Sequence, residues 1–185
     1  MRIIVGITGA SGAIYGYRLL EVLQEAGCEV HAVVSEYGWK VLEYECGITP
    51  AAIREKVSFL HDIKNIGACI ASGSFKTDAM VVAPCSMRTL GSITNGIADN
   101  LLSRAADVML KEGRKLIIVP RETPLNAIHL ANMLKLSQMG VRIVPASPGF
   151  YHRPVSINQI VDMMVGKIAD SIGIEHSLFP RWQGE

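Results

Sequence analysis

The sequence is poor in several features that mark whole classes of protein. Aromatic residues make up only 6% of the 185 residues, which argues against a surface built for stacking nucleic-acid bases. The formal net charge is +1, so no overall charge draws the chain to nucleic acid or to an anionic membrane. No apolar stretch approaches the roughly 20 residues that a bilayer-spanning helix needs. We therefore expect neither nucleic acid nor a membrane as a partner.

Cysteine is also scarce, and its spacing shows no metal or redox motif. No C-x-x-C pair occurs among Cys28, Cys46, Cys69 and Cys85, and no two histidines have metal-ligand spacing. We expect no metal site, and we interpret His31, His61 and His176 as structural. Such thiols are usually reduced and buried in cytosolic proteins. The first residues resemble a strand rather than a signal peptide, so we expect a cytoplasmic location.

The sequence does contain short apolar runs that predict β-strands. Two of them, 79–84 "AMVVAP" and 115–120 "KLIIVP", are strongly apolar and close on proline. Further strands are predicted at 2–6, 29–35 and 141–149, and a weak one at 67–72. Strands that are apolar on both faces and alternate with helices indicate a parallel sheet covered on both sides.

Amphipathic stretches predict the helices between these strands. Thr49 is a plausible N-cap, and Pro50 suits the first position of a helix. The predicted helices cover 11–27, 36–45, part of 48–57, 90–111, 124–139 and 156–172. We expect residues 1–185 to form a single α/β domain with a short C-terminal tail from about residue 173. No repeat, linker or low-complexity segment interrupts it.

Residues that follow the strands are the first candidates for a binding site, because open α/β sheets bind ligands beyond the carboxyl ends of their strands. The first loop, 6–16 "GITGASGAIYG", suits a phosphate cradle at a helix N-terminus, and it equally suits tight packing alone. Its spacing is neither that of the dinucleotide fingerprint nor that of a Walker A loop. The chain also lacks the G-x-S-x-G elbow of serine hydrolases.

Polar and cationic residues recur at the other strand ends. Ser86 and Thr89 either cap a helix or hold a ligand, and Arg88 at a helix start favours a nearby anion unless it is simply solvated. Arg104 and Lys111 lie about two helical turns apart, on one face. Other candidates are Ser35, Arg121, Glu122, Tyr151 and Lys167, although a lysine within a helix is usually only solvated.

Several motifs together resemble one family over nearly the whole chain. They are "GITGASGAIYG", "PCSMRTLGSI", "LLSRAADVMLKEGRKLIIVPRETP", "HLANMLKLSQMG", "PASPGFYHRP" and "PRW". The chain resembles the UbiX-type flavin prenyltransferases, formerly called aromatic-acid decarboxylases. The resemblance implies a flavodoxin-like Rossmann fold and metal-independent transfer of a dimethylallyl group from dimethylallyl monophosphate to N5 and C6 of reduced FMN. It also implies that the product, prenylated FMN, serves UbiD-type decarboxylases, and that the chain forms a large homo-oligomer, a dodecamer.

The resemblance also implies roles for individual residues. The FMN-binding positions are Gly9, Ala10, Ser11, Ser35, Ser86, Met87, Arg88, Thr89 and Arg121. The prenyl-phosphate positions are Arg104, Lys111, Arg121, Tyr151 and Lys167, with Glu45 and Glu122 in the same pocket and Trp182 at its border. Ser11, Glu45, Lys111 and Glu122 are the catalytic candidates, and proton removal is assigned to Glu122, Ser11 or the phosphate. Lys167 replaces an arginine of other members and loses its bidentate fork.

Two other functions remain as alternatives. One is an FMN-dependent decarboxylase of peptidyl or pantothenoyl cysteine, a group that typically carries an "ASANT"-like loop and a histidine after the third strand. The other is a non-catalytic FMN-binding subunit of an aromatic-acid decarboxylase. The loop "CSMRT" and the recurrent cations favour the prenyltransferase, since neither alternative needs a second phosphate site.

Overall fold

A computed structural model describes residues 1–182 and 184, and its centre is one six-stranded sheet. Every pairing in the sheet is parallel, in the order β3-β2-β1-β4-β5-β6. The strands are β1 Arg2–Ile7, β2 Glu29–Val34, β3 Phe59–His61, β4 Ala79–Cys85, β5 Lys115–Pro120 and β6 Arg142–Ile143. The predicted flavodoxin-like α/β class is confirmed.

The described part of the chain contains seven α-helices, which cover the two faces of the sheet. They are α1 Ala13–Glu25, α2 Glu36–Cys46, α3 Pro50–Arg54, α4 Met87–Thr94, α5 Leu101–Lys111, α6 Ala127–Gln138 and α7 Ile157–Ile172. One face of the sheet forms an apolar core with α1 and α7, and the other forms a core with α4, α5 and α6. None of the helices in the described residues is long and apolar enough to cross a membrane.

The predicted helix at 90–111 is wrong, because two helices occupy it. The first ends at Thr94 with Asn95 as its C-cap, and Gly96 then takes a left-handed conformation with φ of 67°. Asn100 starts the second helix as its N-cap and forms a capping box with Ser103. These local hydrogen bonds outweigh the continuous apolar pattern that suggested a single helix.

Two strand predictions also need correction. The weak strand at 67–72 contains a 3₁₀-helix, Cys69–Ala71, and the third strand is instead Phe59–His61, which is too short to show a period. The predicted strand at 141–149 pairs only at Arg142–Ile143. Prolines at 145 and 148 have no N–H for a ladder, which explains the early end. The Thr49 cap and Pro50 at the helix start are confirmed.

The C-terminal tail packs on α7 through Phe179. This ring is only 6% exposed, and a Cβ on Gly166 of α7 would overlap it. Trp182, by contrast, is 63% exposed. Residues 183 and 185 of the predicted tail lie outside the described residues.

Candidate functional site

The carboxyl ends of β1 and β4 open into a cavity of about 650 Å³, which we call the central cavity. It lies at the topological switch point of the sheet. Strands β1 to β3 extend to one side of this point, and β4 to β6 extend to the other. Such switch points are the usual ligand sites of open α/β sheets, and the volume suits a small molecule. Of the predicted binding residues, those lining it are Gly9, Ser35, Ser86, Arg88 and Thr89.

Thr8 joins the loops that follow β1 and β4. Its side chain is buried, and its hydroxyl donates to the Pro84 carbonyl oxygen at 2.7 Å. The Thr8 hydroxyl oxygen in turn accepts from the backbone N–H of Ser86 at 2.8 Å. Because buried polar groups require partners, this pair of bonds fixes one loop relative to the other. The sequence analysis missed Thr8, whose only signal was a hydroxyl directly after a buried strand.

The glycines of the first loop serve both purposes that the sequence left open, tight packing and a turn that a ligand can approach. A Cβ on Gly16 would meet the carbonyl oxygen of Ala83, so this glycine lets α1 pack closely on the sheet. A Cβ on Gly9 would overlap the Cβ of Tyr37, which also lines the central cavity. Ala10 is 6% exposed and offers a ligand little beyond its backbone. The loop therefore presents backbone to the cavity where a side chain would not fit.

The start of α4 has the features of an anion site. Ser86 is its N-cap, and its hydroxyl oxygen accepts from the Thr89 N–H at 3.3 Å. Capping is therefore present, and the free first-turn N–H groups of the helix still favour an anion. The exposed Arg88 guanidinium lies 3.8 Å from the Asp99 carboxylate in the same cavity. The Met87 side chain packs into the core, which leaves its backbone for a ligand.

Ser35 is the N-cap of α2, as Ser86 is the N-cap of α4. Its hydroxyl oxygen accepts from the Gly38 N–H at 3.0 Å while the residue lines the central cavity. Two of the predicted ligand serines are thus helix caps at the cavity wall. A cap oxygen retains a second lone pair and a proton, so capping does not prevent a ligand contact.

Three further predicted residues meet at the rim of the first loop. Arg121 donates from Nε to the backbone oxygen of Ser11 at 3.0 Å. The Glu45 carboxylate accepts from the N–H groups of Gly12 and Ala13, at 2.8 and 3.2 Å. A negative charge at the N-terminus of α1 is favourable because that end of the helix dipole carries a partial positive charge. Glu45, from α2, and Arg121, which follows β5, therefore both hold the backbone of the first loop in place.

Arg104 and Lys111 line a separate, open cavity of about 600 Å³, which we call the second cavity. Their shared helix face is as predicted. Arg104 pairs with Asp107 at 2.7 Å and donates from Nε to the Ala71 carbonyl oxygen at 3.3 Å. Lys111 forms a short ion pair with Glu112, and this hydrogen bond lowers the pKa of the Glu112 carboxyl. An anion that entered the second cavity would meet two cations, and it would compete for them with the surface carboxylates of Asp107 and Glu112.

The last predicted residues gather near the C-terminal tail. The rings of Tyr151 and Trp182 meet edge to face at 5.9 Å, and Lys167 Nζ lies 5.4 Å from the centre of the Phe179 ring. Glu122 is exposed, and its carboxylate accepts from the N–H of Thr123 at 3.0 Å. Within residues 1–182 and 184, no hydrogen bond or ion pair joins these residues to the second cavity. Within a single chain, the residues predicted to bind the prenyl phosphate therefore lie in two separate regions, the second cavity and the surroundings of the first loop and the tail.

The tail is held by an ion pair that predicts a pH effect. Arg181 donates from both terminal nitrogens to Asp170, at 3.0 and 2.7 Å, and this hydrogen bonding lowers the pKa of Asp170. A carboxyl whose folded pKa is lowered stabilises the fold above its unfolded pKa of about 3.9, and the contribution is lost as pH falls through the folded pKa. We expect acid, or Asp170→Asn at neutral pH, to loosen the tail at a cost of about 1 kcal/mol.

Trp182 fluorescence anisotropy in a Trp39→Phe background measures this loosening. Asp162→Asn is the matched control, since Asp162 also lies on α7 but pairs with Arg18, at 2.7 Å. Equal anisotropy in both variants and in the parent would contradict the assignment.

The central cavity has walls that the sequence analysis missed. The loop after β3 contributes Ile63, Lys64 and Ile66, and the start of α5 contributes Leu102 and Ser103. The first three carry no motif, since β3 itself was not predicted. The others follow from the Asn100 capping box, whose Asn-x-x-Ser pattern was the available signal.

Comparison with known proteins gives the family. The flavoprotein family matches residues 1–179. Flavin prenyltransferase UbiX of Halalkalibacterium halodurans is 52% identical, over 98% of this chain and 93% of its own. This chain belongs to the UbiX-type flavin prenyltransferases. The resemblance that the motifs indicated is confirmed, and the enzyme class follows from it.

Two solved structures of this family superpose closely. AnUbiX (PadA1), in complex with FMN and dimethylallyl pyrophosphate, has a TM-score of 0.98 and 42% identity, and the match covers 100% of this chain and 98% of that one. A dodecameric FMN-dependent UbiX-like decarboxylase from Escherichia coli O157:H7 has a TM-score of 0.97 and 48% identity, covering both chains fully, 100% and 100%.

The cysteine decarboxylases share only the fold with this chain. The peptidyl-cysteine decarboxylase structure is 20% identical with a TM-score of 0.66, over 90% or more of each chain, at 92% and 97%. Likeness at this level does not extend to the reaction. The first alternative function is therefore disfavoured in comparison with the prenyltransferases.

Proposed function

We propose that the chain transfers the dimethylallyl group of dimethylallyl monophosphate to N5 and C6 of reduced FMN, with release of phosphate. The observation that carries this proposal is the pair of cavities: one has a helix N-terminus beside strand ends, and the other is lined by two cations. A bound mononucleotide needs the first kind of site, and a leaving phosphate needs the second. The relative solved with FMN and dimethylallyl pyrophosphate supports both ligands.

The central cavity would hold FMN. Reduced FMN supplies the nucleophilic ring positions of the reaction. Its phosphate suits the N-terminus of α4, where Ser86 and Thr89 provide hydroxyls and Arg88 a positive charge. The Gly9 turn supports the fit, because any side chain there would collide with Tyr37 at the cavity wall. The other FMN-binding residues in this proposal are Ala10, Ser11, Ser35, Met87 and Arg121.

Cations would bind the phosphate of the prenyl donor and stabilise the charge that grows as its C–O bond breaks. Preorganised charges are most effective when they point to where charge develops. Arginine forks and a tyrosine hydroxyl suit a monophosphate, whereas Lys167 offers a single point charge. The residues given this role are Arg104, Lys111, Arg121, Tyr151 and Lys167.

The remaining side chains would guide the carbocation and the proton. Trp182 and Tyr151, in contact with each other, offer π faces that stabilise an allylic cation without attacking it. The proton lost on ring closure would pass to Glu122, to Ser11 or to the released phosphate. Glu45 already accepts two backbone N–H groups of the first loop, so we assign it to positioning that loop beside the cationic intermediates.

The residues assigned to the prenyl phosphate lie apart within one chain, and this separation favours a site shared between subunits. We propose a homo-oligomer in which Arg104 and Lys111 of one subunit face the tail and rim residues of a neighbour. The dodecameric relative supports assembly into an oligomer. The product would pass to a UbiD-type decarboxylase, and we retain the cytoplasm as the predicted compartment because all four cysteines are free thiols.

The test supplies reduced FMN and dimethylallyl monophosphate to the purified protein without oxygen, in EDTA, since we predict that the reaction needs no metal. We expect the flavin to gain the mass of one dimethylallyl unit while equimolar phosphate appears. An unchanged flavin mass on protein that binds FMN would instead support the non-catalytic subunit. Release of CO₂ from a cysteine-ended peptide would support the decarboxylase.

A further inference from the structure

Three metal-ligand side chains meet at the β3 edge of the sheet, outside both cavities. They are His31, which is 1% exposed, His61, which is half-buried, and Cys69, which is exposed. One ligand atom from each lies within 4.8 Å of the other two. We call these residues the edge cluster, and the reaction proposed above uses none of them.

The fold explains why sequence spacing did not reveal the edge cluster. β2 and β3 pair in parallel with His31 opposite Phe59 and Val33 opposite His61. Because side chains alternate along a strand, His31 and His61 project from the same face of the sheet. The 3₁₀-helix that replaced the predicted strand brings Cys69 beside them. The sequence analysis interpreted His31 and His61 as structural, and the spacing along the chain did not show that they meet.

His31 is held in the tautomer that a metal requires. Its Nε2 lies 3.0 Å from the Glu29 carboxylate, and a carboxylate paired with Arg2, at 2.8 Å, accepts only. Nε2 therefore carries the proton, and the lone pair on Nδ1 faces His61 Nε2 at 2.8 Å, from which it accepts a hydrogen bond. Phe59 stacks on the imidazole ring at 4.7 Å, which restricts its rotation. A carboxylate behind a histidine is the usual outer partner of a metal-bound imidazole.

We propose that His31 Nδ1, His61 Nε2 and Cys69 Sγ bind one Zn²⁺ ion per chain. Two imidazoles and a thiolate are donors that zinc prefers, whereas calcium and magnesium prefer oxygen. The two histidine nitrogens are 2.8 Å apart, close to the separation of about 3.3 Å that tetrahedral Zn–N bonds impose. Binding moves the His61 proton from Nε2 to Nδ1 and releases the Cys69 thiol proton. The fourth position is open to water.

The bound ion would connect three segments whose neighbouring residues line the two cavities. It would join β2, β3 and the 3₁₀-helix, and the chain between β3 and that helix provides Ile63, Lys64 and Ile66 to the central cavity. The residues that follow the helix, 72–74, line the second cavity. Zinc therefore acts as a structural clamp on this segment, and it takes no part in prenyl transfer.

The experiment uses untagged, full-length protein stripped of metal with EDTA and then freed of the chelator. Zinc is titrated in competition with a chromophoric chelator, and Co²⁺ is added in parallel as a spectroscopic probe. We expect one ion per chain, a thiolate-to-cobalt charge-transfer band, and a thermal midpoint that rises with added zinc. Cys69→Ser should lower the zinc affinity by roughly a hundredfold or more, at least the loss seen when outer partners of metal ligands are removed.

Cys46→Ser is the matched control, because Cys46 is a half-buried free thiol outside the edge cluster. It should bind zinc as the parent does, and His61→Asn should resemble Cys69→Ser. Zinc binding by the parent no tighter than by Cys69→Ser, or a cobalt complex without the thiolate band, would overturn the proposal. Prenyl transfer measured in EDTA is expected to be unaffected in Cys69→Ser, which keeps this test separate from that of the reaction.

Discussion

Lys111→Ala is expected to slow prenyl transfer about a hundredfold while the variant still binds FMN. Lys111 lines the second cavity, apart from the residues that line the central cavity. Removing one preorganised charge contact to a leaving group typically costs about 3 kcal/mol in the transition state. The Glu112 carboxylate, which the lysine now neutralises, would also be left to repel the phosphate. Single-turnover analysis of flavin mass measures the rate, and flavin absorbance measures the bound FMN.

Lys135→Ala is the matched control for this substitution. Lys135 is also an exposed lysine in the last turn of a helix, but it lies on α6 and lines neither cavity. A lysine that only complements a helix dipole contributes well under about 1 kcal/mol of stability. The control should therefore keep the parent rate. If Lys111→Ala also kept that rate with a full complement of FMN, the assignment of the second cavity to phosphate would be wrong.

Thr8→Val is expected to lower the free energy of unfolding by about 2–3 kcal/mol and to weaken FMN binding at least about tenfold. The change removes the hydroxyl that donates to the Pro84 carbonyl and leaves the partly buried N–H of Ser86 without its acceptor. The N-terminus of α4 would no longer be fixed against the first loop. Urea unfolding measures the stability, and quenching of FMN fluorescence measures the affinity.

Thr94→Val separates this effect from the general loss of a buried hydroxyl. Thr94 is 4% exposed, and its hydroxyl donates within α4 to the Leu90 carbonyl at 2.7 Å, so no buried donor loses its acceptor. We expect the control to cost less than about 1 kcal/mol and to leave FMN affinity unchanged. Equal losses of affinity in the two variants would show that Thr8 does not couple the loops.

Much of the central cavity could be predicted because it depends on strand ends. A buried parallel strand needs a continuous apolar run, and the residue where that run stops is visible in the sequence. Gly9, Ser35 and Ser86 were found this way, and so was Arg121 beside the first loop, since parallel strands bring their carboxyl ends to one edge of the sheet. Individual roles in the reaction came from the family resemblance, and mutagenesis tests them.

The sequence by itself determined the parallel α/β class, the long strands and the residues at their ends, because these depend on local periodicity. Only the tertiary structure decided which distant residues meet. The short β3 set His31 beside His61, and Glu45 reached the first loop from the end of α2. Such contacts depend on strand register and on hydrogen bonds between segments, which have no period along the chain. Strand pairing fixes the first contact, and hydrogen bonds from Gly12 and Ala13 to the Glu45 carboxylate fix the second, so local propensity selects neither.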